Sequence, residues 1–80
     1  MPDQPYKTID CSLHDRLESA ATLRQLVRII YRGTDGNQQE TEDRLVDVFA
    51  KNGEEFLKTT NGDLIRLDML VSVDGVNFSN

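Results

Sequence analysis

The nine positions from Asp10 to Glu18 hold three carboxylates (Asp10, Asp15 and Glu18), the chain's single thiol (Cys11) and its single imidazole (His14). Side chains of these types at this spacing offer three kinds of chemistry. A thiol and an imidazole beside carboxylates can ligate zinc; a thiolate with a histidine base can be a nucleophile; carboxylates repeated along one helix face can meet a cationic partner. A zinc site that holds a fold together pairs Cys or His elements far apart in sequence, and the rest of the chain has no second Cys or His, so no metal is expected. A reactive thiolate needs an electropositive setting, and three acids surround Cys11. There is also no glycine-rich oxyanion loop, no third orienting group at recognisable spacing, and little volume in so short a chain for a substrate pocket. Neither catalysis nor a cofactor is expected. What remains is a helix face, either an ordinary solvated one with Cys11 packed beside the cap, or one that touches another protein.

Ser12, followed three residues later by Asp15, resembles a capping box and places a helix start at about Leu13. Leu13, Leu17, Ala20 and Ala21 then fall on one stripe, which turns Asp15, Glu18, Ser19 and Thr22 outward and leaves His14 flanking the stripe. After Leu23 the pattern becomes strand-like, with Val27, Ile29 and Tyr31 alternating against Arg28, Ile30 and Arg32. Gly33 to Asn37 supplies a turn. The polar run QQETEDR reads as an exposed edge strand or a loop before Leu45, Val46, Val48 and Phe49. Asn52-Gly53, Asn61-Gly62 and Asp74-Gly75 are hairpin signals, and IRLDMLVSV reads as one strand on which Arg66 and Asp68 share a face. Tyr6, Tyr31, Phe49, Phe56 and Phe78 read as core or edge packing, since no basic patch interleaves them. One helix followed by an antiparallel meander is an α+β, mostly-β fold, and curling the sheet into a small bent barrel would protect its edges.

With 14 acidic against 9 basic residues, a net charge of −5 disfavours nucleic-acid binding, which begins with Lys and Arg displacing counterions from phosphates. An acidic domain suits a basic protein surface instead. One cysteine precludes an internal disulfide, which points to the cytoplasm. No apolar run approaches the roughly 20 residues that span a bilayer, and no export signal opens the chain. One domain over residues 6–76 is expected, with loose ends at 1–5 and 77–80.

Tyr6…Ile9-Asp10-Cys11, then Asp15, Leu17-Glu18 and Ala20, then Lys51-Asn52, Glu55-Phe56-Leu57 and Ile65-Arg66-Leu67-Asp68 resemble the Rho-binding antiterminator (Rof) family of bacteria, from Tyr6 to about Val76. The most specific part is the opening Y-x-x-I-D-C…D-x-L-E-x-A; I-R-L-D resembles the late strand of other Sm-like barrels. The resemblance implies an N-terminal helix packed on a small, strongly bent antiparallel Sm-like β-barrel. It also implies a partner, the transcription termination factor Rho, bound at its primary RNA-binding domain so that RNA is kept from the hexamer. Carried over by position, Cys11, Asp15 and Glu18 face Rho, with Lys51 and Asn52 as a second patch and with His14 and Arg16, where the match is looser, in the first. The implied protein is non-enzymatic, cytoplasmic, monomeric when free, and competes with RNA instead of binding it. The alternatives are an Sm-like RNA-binding module, opposed by the net charge and by Glu55 and Asp63 near the turns, and an acidic interaction module for another protein.

Overall fold

Alternation of apolar and polar residues after residue 25 builds strands, and the helical stripe before it builds one helix that covers them. The computed structural model describes residues 9–78. Helix α1 (Cys11–Thr22) is followed by β1 (Leu26–Arg32), β2 (Gln38–Lys51), β3 (Glu54–Thr59), β4 (Leu64–Arg66), a 3-10 turn (Leu67–Met69), β5 (Leu70–Val73) and β6 (Val76–Asn77). The strands form a six-stranded antiparallel sheet in the order β4-β3-β2-β1-β5-β6. The class is therefore the expected one, mostly-β α+β with an N-terminal helix. Among the described residues no ladder joins β4 to β6, so the sheet is open at both edges and not closed into a barrel. No helix among the described residues is long and apolar enough to cross a membrane.

Strand β2 gives the sheet its shape. Residues Gln38 to Arg44 pair with β1, whereas Leu45 to Lys51 pair with β3, and the register slips by one between Leu45 and Asp47. The extra residue is Val46, and a bulge of this kind bends the strand and increases its twist. It also explains the uneven spacing of apolar residues in LVDVF: Leu45 is buried and Val48 packs against the core, three positions apart, because the bulge changes the phase between them. The polar run QQETEDR is strand, paired with β1 along one edge; on the other edge the Arg44 carbonyl accepts the Thr60 N–H, and the charges of the run guard the rest against adventitious pairing.

Two expectations need correction. IRLDMLVSV is not one strand: Leu67 and Leu70 are both buried, three positions apart, and the 3-10 turn between β4 and β5 lets both point inward. That turn also carries the chain from β3's side of the sheet to the far side of β1, where β5 pairs. The loose C-terminal end does not begin at Asn77, which pairs with Ser72, and Phe78 is only 4% exposed while its N–H donates to the Val71 carbonyl. The aromatic ring is needed to complete a thin core. The expected loose segment 1–5, Tyr6 of the opening motif, and residues 79–80 lie outside the described residues.

The core is formed by Leu17 of α1 with Ile29, Leu45, Leu57, Leu67 and Leu70, none more than 1% exposed. Each such side chain contributes about 1.5–3 kcal/mol by leaving water. Two tight turns hold the strands in register: Asn52-Gly53 and Asp74-Gly75 both have positive φ at both residues, as the favoured two-residue hairpin requires. Asn61-Gly62 lies instead in a longer turn, because Asp43 anchors it. The Asp43 carboxylate, 8% exposed at the point where β2 changes partner, accepts from the Thr60 hydroxyl, the Arg44 N–H (2.7 Å) and the Asn61 N–H (3.0 Å). The Thr60 hydroxyl, chiefly, holds the Asp43 carboxyl below the usual carboxylate range, and the two backbone donors act in the same direction.

Candidate protein-contact surface

The helix starts earlier than its capping box suggested. Asp10 takes the N-cap position with extended backbone, its carbonyl accepts the His14 N–H at 3.0 Å, and Cys11 is the first helical residue. Ser12 spends its hydroxyl on the Asp10 carboxylate instead of capping. The helix ends where Arg24 turns left-handed (φ 50°) and the Gln25 N–H donates to the Ala20 carbonyl, the six-to-one bond of a Schellman ending on a residue other than glycine. Leu17, Ala20 and Ala21 are buried and Leu13 packs against the core, as the stripe predicts.

That burial fixes what faces out. At about 100° per residue, Cys11, His14, Asp15 and Glu18 lie within one sector of the helix, and Cys11, Asp15 and Glu18 are exposed. His14 sits at the edge of the sector, half-buried, with Nε2 3.0 Å from Glu55 Oε2 on β3 and Nδ1 3.8 Å from Glu18 Oε1. Ligating atoms of His14, Asp15 and Glu18 all lie within 4.8 Å of one another. Arg16 does not belong to this sector: helical geometry places it about 160° away from both His14 and Glu18, on the other flank of the stripe. The shared patch expected for Arg16 is corrected on that ground.

Lys51 and Asn52 are exposed at the β2–β3 turn. Their link to the helix runs through Glu55, which is registered opposite Ala50, the residue before Lys51. The His14–Glu55 contact thus fastens the start of α1 to the base of this hairpin and sets the two expected patches side by side. Sequence reasoning did not assign Glu55 to this role. A pair 41 positions apart (55 minus 14) on different elements has no local signature, and only the packing of α1 on β2 reveals it.

A second cluster near the same hairpin is structural. Arg66 donates from Nε to Asp68 Oδ1 at 2.8 Å and from Nη2 to Asp68 Oδ2 at 2.5 Å, and its Nη1 lies 3.5 Å from Glu54 Oε2. This two-pronged bond ties the 3-10 turn to β4 and to the start of β3, the role expected for Arg66 and Asp68 from their spacing. Beside it on the outer face, the rings of Phe49 and Phe56 stack with centroids 5.7 Å apart, directly cross-strand, so both are packing residues.

The site's charges are therefore divided between those the fold uses (Asp43, Arg66, Asp68) and those it leaves in water (Asp15, Glu18). Exposed carboxylates outside the apolar stripe are available to a cation. No family model and no curated protein matches the chain.

Proposed function

We propose that this chain is an inhibitor of Rho-dependent transcription termination of the Rho-binding antiterminator kind, a non-enzymatic cytoplasmic protein, monomeric when free. It binds the primary RNA-binding domain of Rho through the acidic face of α1 and so keeps RNA from loading. The observation that carries the proposal is the opening motif: within α1 its acids Asp15 and Glu18 and its Cys11 are exposed, whereas its Leu17 and Ala20 are buried. Leu17 and Ala20 are accounted for by folding, whereas nothing in the fold requires the acids.

A surface that accepts RNA phosphates is rich in Lys and Arg. Carboxylates held at a fixed spacing on a helix compete for those cations, and a net charge of −5 favours encounter with such a surface over encounter with RNA itself. Lys51 and Asn52, next to the helix through Glu55, extend the surface with a hydrogen-bonding group and one cation. The test is calorimetry of the purified chain with purified Rho, with and without a C-rich RNA oligonucleotide. Binding that the oligonucleotide displaces supports both partner and mechanism. Absence of binding at low salt overturns the proposal, and direct binding of the oligonucleotide to this chain would favour an Sm-like RNA-binding module in its place.

A further inference from the structure

The cluster at the start of α1 has an order that ion pairing alone does not need. One imidazole nitrogen of His14, Nε2, is 3.0 Å from a carboxylate oxygen of Glu55, on a different element, which fixes the plane of the ring. The other, Nδ1, is thereby turned toward Glu18 at 3.8 Å, too far for a hydrogen bond. Asp15 brings a further ligating oxygen, and the three atoms lie within 4.8 Å of one another.

We propose that His14, Asp15 and Glu18 form a binding site for a divalent transition-metal ion of the zinc class, with His14 Nδ1 and one oxygen from each carboxylate as ligands and Glu55 as the carboxylate that orients the histidine. The ring nitrogen selects zinc, nickel or cobalt over magnesium or calcium, which prefer oxygen alone. Distances agree. Two ligands each about 2.1 Å from a tetrahedral zinc lie about 3.4 Å apart, so the Nδ1 to Oε1 separation needs to close by only a few tenths of an ångström. His14 and Glu18 are one helical turn apart and face each other; Asp15, adjacent to His14, contributes an oxygen within 4.8 Å of the other two ligand atoms, and its exposed side chain has to rotate by up to about 1.4 Å to reach ligand spacing. Glu55 supplies the outer carboxylate that metal-bound histidines ordinarily have on their second nitrogen, and it comes from β3, so the site exists only in the folded chain.

Such a site differs from the fold-holding zinc site that the sequence argues against. It has three protein ligands and open positions filled by water, it needs no second histidine or cysteine, and the core does not depend on it. It is also independent of the partner proposed above, since it is tested on the chain alone.

The experiment is a titration of untagged protein with zinc chloride by calorimetry and with cobalt chloride by absorption. A Cys11→Ser variant serves as background, because the exposed thiol on the same helix face is a competing ligand. The expected result is one ion bound per chain in the Cys11→Ser protein, without a thiolate-to-cobalt charge-transfer band in the unmodified chain. Binding should be lost in His14→Gln and weakened about 10–100-fold in Glu55→Gln, which alters the carboxylate that orients the histidine. Asp15→Asn, on the exposed side of the helix, should weaken binding at unchanged melting temperature, which keeps the test informative if His14→Gln loosens the helix. No binding at millimolar zinc overturns the proposal. So does binding that disappears with Cys11→Ser or persists in both His14→Gln and Asp15→Asn.

Discussion

Reversing Asp15 and Glu18 together to lysine tests whether the α1 face is a binding surface, because the structure separates the cost to folding from the cost to binding. Both side chains lie outside the buried stripe, and Glu18 is 54% exposed. The interaction that reversal removes from the folded chain is the His14–Glu18 approach at 3.8 Å, one helical turn apart, worth about 0.3–0.5 kcal/mol at such exposure. Asp15 lies beyond the first turn of the helix, where the dipole adds little, so the total stays within about 1 kcal/mol, a melting shift of no more than roughly 8 °C for a domain of this size. Binding responds differently. Close charge pairs across an interface couple by about 1.5–7 kcal/mol, so even two pairs at the lower end give about 3 kcal/mol, roughly 150-fold in Kd. The reversal also changes the net charge from −5 to −1, since each substitution adds two. A Glu42→Lys, Asp63→Lys control carries the same net charge with its changes on the polar half of β2 and in the β3–β4 turn, and it should lose on-rate while keeping most of the affinity. The assay is calorimetry against Rho at two salt concentrations, with thermal melting of each variant. A double reversal that melts normally and still binds Rho within about threefold of the unmodified chain refutes the proposed surface, because less than about 0.7 kcal/mol would then depend on it.

Three further outcomes concern the frame that holds this surface. Arg66→Ala leaves Asp68 partly buried without its two-pronged donor and should cost about 2–4 kcal/mol in chemical denaturation, less than for a fully buried pair because Arg66 keeps some contact with water. Phe78→Ala should cost about 3–5 kcal/mol, a large part of the stability of so small a domain; a change below about 1 kcal/mol would show that the ring is not part of the core. Asp43 has a folded-state acidity stronger than its unfolded one, so its contribution is present above the unfolded value near pH 4 and is lost as pH falls through the folded value. Asp43→Asn should therefore melt lower than the unmodified chain at pH 7, and the difference should shrink below about pH 4; a constant difference from pH 7 to pH 2 would contradict the assigned hydrogen bonds.

Local rules carried the sequence reading as far as local rules reach. The apolar spacing of Leu13, Leu17, Ala20 and Ala21 settles which face of α1 is buried, because a helix repeats every 3.6 residues whatever it packs against. Asn52-Gly53 and Asp74-Gly75 settle two hairpins, because a two-residue turn needs two left-handed residues. The helix starts two residues before the position the capping pattern gives, because Asp10 and Ser12 are both of cap-forming type and Asp10 takes the cap position while its carboxylate accepts the Ser12 hydroxyl. Arg66 and Asp68 were paired correctly from their spacing but for a strand that the 3-10 turn interrupts.

By itself, then, the amino-acid sequence determined the helix, the succession of strands, the acidic balance and the exposure of Asp15 and Glu18, all of which follow from periods of two to four residues and from composition. Only the tertiary structure decided that β2 changes partner at Leu45, that β5 crosses to the far side of β1, that Phe78 closes the core, and that Glu55 reaches His14. These are contacts between residues far apart in the chain. Their free energy comes from burying surfaces that do not exist until the sheet has bent, and no short window of sequence contains both sides of such a contact.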